Sequence, residues 1–242
     1  MTPLRASVLS RAAVTAPMRE QMFHLLSAHF DGVERALFDA DLDEKDEVIT
    51  LSDADGALRG FSTLCAWRLE LDGQALWALF SGDTIVDQAA WGSPALARGW
   101  LEAALRLRER AGGEPVYWML ICSGFRTYRF LPVFFQTFWP RHDAPTPPET
   151  QRLIDELARR RYGPRYGGGV VRLPGNGAVL PEVGGLTPAR LQNPHVACFA
   201  RLNPGHSRGD ELVCLAEIHP DNFTDAARRM WAGLKPSSPE ES

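Results

Sequence analysis

The chain has 242 residues, of which 26 are Lys or Arg and 30 are Asp or Glu, giving a net charge of −4. That balance excludes a general nucleic-acid binder, because binding phosphates needs a local cationic excess. A chain 45% hydrophobic and 23% charged has the composition of a globular protein with ample core. No apolar run is long enough to span a bilayer, and the opening "MTPLRASVLSRAAVTAP" lacks the continuous apolar stretch of a signal peptide, so a cytoplasmic protein is expected. Cys65, Cys122, Cys198 and Cys214 form no C-x-x-C pair and read as buried, reduced thiols. His24 and His29 are five residues apart, which is off one helical face, so no metal site is expected.

In chain order, the first residues read as a poorly ordered strand. "PMREQMFHLLSAH" carries Met18, Met22, Leu25 and Leu26 at helical spacing, and a second short helix follows in "DGVERALFDADL". The period then changes. Residues 47–86 contain three strand-like runs separated by "DADG" and "LDG", and Asp-Gly pairs supply the positive φ of tight hairpins, so an antiparallel meander is predicted. After Trp91 the pattern is helical again, with Leu96, Trp100, Ala103 or Ala104, and Leu107 on one face until Gly112-Gly113. "VYWMLIC" reads as a strand buried on both faces. "RTYRFLPVFFQTFW" reads as a helix, with Pro132 near its first turn or kinking it. A proline-rich break over 140–150 leads to a charged helix from Glu149 or Thr150 through "QRLIDELARRRYG". The Gly- and Pro-rich stretch after it reads as irregular. Two late strands, "HVACFARL" and "ELVCLAEI", are predicted as a pair joined by "NPGHSRGD". A last helix, "TDAARRMWAGL", precedes a polar tail over about 235–242 that is expected to be disordered. These elements form a single domain, with a core over about 5–140 and 194–218 and an insertion over about 141–190.

One junction in this order carries chemistry. In "ALFSGDTIVDQAAWGSPALARGWLEAALRL" a strand bearing Asp83 and Asp87 breaks at Trp91-Gly92-Ser93-Pro94 and becomes a helix. Ser93 is an N-cap and Pro94 a first-turn residue, which is sufficient as punctuation. A helix N-terminus also offers unpaired N–H groups and a partial positive charge, and a glycine lets an anion approach them.

The element order and this junction resemble the GNAT superfamily of acyl-CoA-dependent N-acyltransferases, over about residues 5–140 and more loosely 194–218. The resemblance implies an α/β fold: a mixed, largely antiparallel central sheet flanked by helices, here with an irregular C-terminal extension. It implies transfer of an acyl group from acetyl-CoA or a longer acyl-CoA, or from an acyl-carrier-protein thioester, to the amine of a small molecule. Neither nucleic acid, membrane nor metal has a part in it. In that family the fourth strand ends near a bulge, and a loop of type R/Q-x-x-G-x-G/A opens the next helix and cradles the pyrophosphate. Aligning Val86 with the family's strand-end valine puts "WGSPAL" in that loop, where only Gly92 matches; Trp91 stands for a basic or amide residue and Pro94 removes a donor. Starting the loop at Gln88 instead puts Trp91 at the first glycine position. By resemblance, the backbone at Ile85 and Val86 meets the acyl carbonyl, and Asp87, Gln88, Trp91, Gly92 and Ser93 form the cofactor loop.

Amide formation from a thioester needs a base for the ammonium, donors for the oxyanion and an acid for the thiolate. Asp83 matches the family's strand carboxylate and is the candidate base. On an alternating strand it shares a face with Ile85 and Asp87; alternatively Gly82-Asp83 is a turn and the strand ends at Phe80. Tyr128 is the candidate acid, although the family's tyrosine position falls on Phe134 or Phe135; Ser123 is a second hydroxyl nearby. Cys122 ends a buried strand with no histidine close in sequence and reads as core. His206, with Asp210 and Glu211, lies in the late loop and is a secondary base candidate. The aromatic run from Phe125 to Trp139 either packs the core or lines an apolar pocket. Arg126, Arg129 and Arg141 hold phosphates or an acidic carrier domain, or solvate their helix. A second reading is a GNAT-like binding or regulatory module without catalysis, and a third is a thioester-handling enzyme of different chemistry.

Overall fold

The computed structural model describes residues 4–172 and 185–234; the tail predicted to be disordered lies outside them. Strand β1 (Arg5–Ser10) is followed by α1 (Ala16–Ser27) and α2 (Arg35–Asp43), then by β2 (Glu47–Ser52), β3 (Leu58–Leu71) and β4 (Gln74–Val86). Next come α3 (Ala95–Ala111), β5 (Val116–Cys122), the short α4 (Phe125–Tyr128) and α5 (Phe130–Phe134), and α6 (Pro148–Tyr162). The chain continues through β6 (Tyr166–Gly167), β7 (Val170–Arg172), α7 (Pro188–Leu191), α8 (Pro194–Leu202), β8 (Asp210–Glu217) and α9 (Asp225–Ala232). Among the described residues eight strands form one sheet in the order β1-β2-β3-β4-β5-β8-β7-β6. Only β4 and β5 run parallel; every other pair is antiparallel.

Local chemistry explains the meander. Asp72 and Gly73, both at positive φ, join Leu71 to its partner Gln74 in a two-residue turn. Asp53 closes the other hairpin by accepting from the N–H groups of Asp55 and Ala57, each at 3.0 Å. Helices cover both faces of the sheet. On one side α1 and α2 pack Met22, Leu26, Phe38 and Leu42 against Val48, Phe61 and Ile85. On that same side α6 packs Leu153, Ile154, Leu157 and Ala158 against Phe80, Met119 and Val213. The segment predicted as an insertion thus contributes a helix to the core. On the other side α3 buries Trp100, Leu101, Ala104 and Leu107 over Ile49, Leu51 and Leu79. Gly99 sets that approach, because a Cβ there would lie 2.7 Å from Ile49 Cγ2. Ile49 is fully buried and β-branched, so it cannot rotate aside. Gly99→Ala is expected to cost about 1–3 kcal/mol, read as a lower urea midpoint; an unchanged midpoint would show that α3 can lift.

Three predicted elements differ. "HVACFARL" is α8, not a strand: Asn193 accepts from the N–H groups of His195 and Val196, Pro194 sits in the first turn, and Val196 and Phe199 share the buried face. The partner of β8 comes instead from the glycine-rich stretch read as irregular, where β7 pairs Val170 with Leu212 and Val171 with Glu211. The aromatic run is not one helix. It breaks at Arg129, α5 ends at Phe134, and the chain then extends so that Trp139 exchanges two 2.7 Å backbone hydrogen bonds with Leu215. Among the described residues no helix is long and apolar enough to cross a membrane.

Candidate active site

The site begins with a slip in strand pairing. Ser62 faces Thr84 and Leu64 faces Ser81, so Gly82 and Asp83 together oppose the single residue Thr63. This is a β-bulge, and Asp83 stays within the strand rather than in a turn. It also breaks the alternation: Phe80 and Ile85, five residues apart, both pack on the α1/α2/α6 side. Glycine is required at 82, where a Cβ would lie 2.6 Å from Thr63 Oγ1 and 2.9 Å from Lys45 Cε.

At the same level β4 and β5 part. Their parallel pairing runs from Trp77–Val116 to Ser81–Leu120 and stops, after which Ile121 and Cys122 pair only with β8. The last joint is pinned by Trp118 Nε1 donating to Ser81 Oγ at 2.8 Å. A cavity of about 580 Å³ opens there. Its walls on one side are α1, α2 and the end of α6, including Phe38, Asp41, Arg161 and Tyr162. On the other side it reaches Trp91, Gly92, Ser93 and Leu96 at the start of α3, and Ser123 to Thr127 after β5. Asp83 lies on the floor between these two ends.

Burial and, after it, the neighbouring charge of Asp41 push the Asp83 carboxyl up to about 7 against the opposing charge of Lys45. The Lys45 ammonium is fully buried and committed to Asp41, at 2.5 Å to its carboxylate and 3.0 Å to its carbonyl. Asp83 is therefore about half ionised near neutral pH, the state a general base needs.

The remaining sequence candidates divide. Tyr128 does not line the cavity: it is fully buried, donates to the Pro140 carbonyl at 2.8 Å and packs against Phe138 and Phe199. His206 is half-buried against Phe199, also outside the cavity, and burial lowers its pKa. Cys122 is buried beside Cys214, Sγ to Sγ 4.0 Å, and burial holds its thiol protonated. Ser123 does line the cavity. Among the described residues no group of three or more His, Cys, Asp or Glu is placed to hold a metal ion.

Of the cofactor-loop candidates, Ile85, Val86, Trp91, Gly92 and Ser93 line the cavity, whereas Asp87 and Gln88 lie outside its lining. Ile85 is buried under α1 and α2, and the Val86 carbonyl accepts from Trp91 Nε1 at 2.9 Å. Asp87 caps the single turn Gln88–Ala90 and faces Arg59 at 3.5 Å. Gly92 has φ +86° with open space beside its Cα, and Ser93 Oγ accepts from Ala95 N at 3.3 Å. The N–H groups of Leu96 and Ala97 have no acceptor among the described residues, as expected of a first helical turn. Arg126 lies over the Trp91 ring, Cζ 4.0 Å from its centroid, and lines the same end. Its desolvation, together with the charges of Arg190 and Arg129, lowers its pKa. Sequence reasoning missed Asp41, Lys45, Arg161 and Tyr162, because α2 and α6 meet only in the folded chain. The one local hint was the run Arg159-Arg160-Arg161 ahead of Tyr162.

No family model and no curated protein matches the chain. Among solved structures it is similar to an Enterococcus faecalis protein described as a "Probable N-Acyltransferase" (15% identity, TM-score 0.44, over 59% of this chain and 37% of that one). It is similar also to a GNAT-family N-acetyltransferase of Escherichia coli solved in complex with CoA (18% identity, TM-score 0.38, 54% and 69%). A third is a histone acetyltransferase HPA2 and related acetyltransferase from Corynebacterium glutamicum (18% identity, TM-score 0.37, 61% and 93%). The chain spans little more than a third of the length of the first of these.

Proposed function

We propose that the protein is a GNAT-type N-acyltransferase that moves an acyl group from a CoA thioester to the amine of a small molecule. The observation that carries this reading is the placement of Asp83: a carboxyl with a pKa of about 7, on a bulge, where β4 and β5 separate inside a cavity reaching the start of α3. In this reading the thioester carbonyl lies in the gap beyond Ser81, and the amine approaches from the α2 and α6 side. Asp83 takes a proton from the ammonium, the freed nitrogen attacks the carbonyl carbon, the C–N bond forms and the C–S bond breaks. The second nitrogen proton goes to the departing thiolate, with Ser123 the hydroxyl at hand to relay it. The diphosphate sits at the first turn of α3, where Leu96 and Ala97 offer open N–H groups and Gly92 leaves room. Arg126, stacked on Trp91, supplies the charge the loop itself lacks. An acyl-carrier-protein thioester is the alternative donor, since its phosphopantetheine arm presents the same chemistry. The missing donor at Pro94 favours the second reading, a binding module without catalysis.

Thermal-shift titration with free CoA, acetyl-CoA and longer acyl-CoA thioesters tests the reading. A concentration-dependent rise in melting temperature is expected, as for any ligand selective for the native state. No rise with any of them would turn the assignment toward a carrier-protein donor or a non-catalytic module.

With Tyr128 sealed in the core, Tyr128→Phe is expected to leave the turnover rate unchanged and to lower stability by about 1 kcal/mol, the worth of a buried hydrogen bond. A large fall in turnover with an unaltered melting temperature would restore Tyr128 as the acid.

A further inference from the structure

The proposed acyl transfer leaves the acceptor unnamed, and the α2/α6 end of the cavity bears on it. Arg161, in the last turn of α6, lines that end with its side chain only 17% exposed. Its guanidinium is held flat over Phe80, Cζ 4.1 Å from the ring centroid. Burial disfavours its charge, and the Tyr162 hydroxyl and the charge of Asp41 favour it, but among the described residues no carboxylate makes a close two-pronged pair with it. Cys65 Sγ accepts from Nη1 at 3.6 Å, but burial pushes that thiol up, so it stays neutral at pH 7. The carboxylate paired with it, Glu44, is 3.9 Å from Nη2 and is itself 70% exposed. Nε is buried with no hydrogen-bond partner. A guanidinium carries five donors, and leaving donors of a desolvated cation unpaired is costly.

The other buried cation there, Lys45, is already spent on Asp41. Arg161 thus brings to the cavity wall a guanidinium, whose planar fork matches a carboxylate or a phosphate in two-pronged geometry. The neighbours decide between them. Asp41, Glu44, Asp83 and Glu211 line the same cavity, so a doubly charged phosphate would meet more repulsion than a single carboxylate. The same acids suit an ammonium group. Asp41 stands between the two functions, its charge acting on both Asp83 and Arg161.

Resting on the acyltransferase reading, we infer that the acceptor is an amine that also bears a carboxylate, an amino acid or a close relative, with its carboxylate on Arg161 and its nitrogen toward Asp83. Arg161 is then the residue that selects the substrate class. An acceptor without the carboxylate leaves the fork unpaired, which is the situation in which polar sites discriminate most strongly.

Matched pairs differing only in the carboxylate test this by calorimetry on the whole protein: L-leucine against 3-methylbutylamine, L-phenylalanine against 2-phenylethylamine, and 5-aminopentanoate against pentylamine. At least one carboxylated member is expected to bind about tenfold or more tightly than its partner, and Arg161→Met is expected to abolish the difference. O-phosphoethanolamine is expected to bind no better than β-alanine. Equal binding within all three pairs, no binding of any carboxylated member, a preference that survives Arg161→Met, or stronger binding of O-phosphoethanolamine would each overturn the inference. The wild-type comparison stands even if the variant folds poorly. The acyl-CoA thermal shift separates the two levels: a shift without carboxylate preference sinks this inference alone, and no shift counts against the CoA-dependent reading beneath it whatever the matched pairs show.

Discussion

Asp83→Asn is expected to lower kcat/KM by about 10²- to 10⁴-fold, the usual worth of a positioned general base, while leaving the acyl-CoA thermal shift intact. In the wild type kcat/KM should rise with pH and level off above about 7, because the base acts only when ionised. The same substitution should make the protein more stable at neutral pH. In the unfolded chain Asp83 titrates near 4; in the fold it titrates at about 7. Between those values the native state holds a proton that the unfolded state has lost, so native stability falls as pH rises through that window. Asparagine has no proton to lose. The variant should therefore match the wild type below about pH 4 and exceed it above about pH 7, by at most about 4 kcal/mol. Denaturant melts at pH 4 and pH 8 read this directly. A variant less stable at pH 8 than at pH 4, relative to wild type, would mean that the carboxylate is held by partners rather than desolvated, and would remove the reason to name it the base.

Arg126→Ala is expected to weaken acyl-CoA binding by about 10- to 100-fold, the range for losing a charged hydrogen bond. The physical case is that the Arg126 guanidinium lies over the Trp91 ring and lines the end of the cavity at the start of α3. Acetyl-pantetheine, which has the thioester but no diphosphate, is expected to bind the variant and the wild type alike. An equal loss for both donors would show that Arg126 shapes the cavity wall by packing on Trp91 and does not meet phosphate.

Much of this site was legible along the chain because its parts are local. Asp83, Gly92 and Ser93 fall within eleven consecutive residues, and the strand-to-helix change there follows from hydrophobic period and capping chemistry alone. The bulge could be anticipated but not placed, since its position depends on the register between β3 and β4. Tyr128 is a candidate acid through resemblance alone, and its ring lies in the core, which the aromatic run also allowed. Arg161 was invisible because on its own helix it is one of three consecutive arginines, and only the packing of α6 beside Phe80 withdraws it from water.

Periodicity and turn chemistry within a few residues set the meander, the α3 junction, the buried fifth strand and the capped helices. The tertiary structure alone decided which segment pairs with β8, where β4 slips, and which charged groups share the cavity. Those outcomes rest on contacts between residues far apart in the chain. In 194–202 the cap at Asn193 and the helical burial of Val196 and Phe199 outweighed an apolar run that fits a strand equally well. For Asp83 and Arg161 the deciding quantity is desolvation, which a residue acquires only from what packs around it.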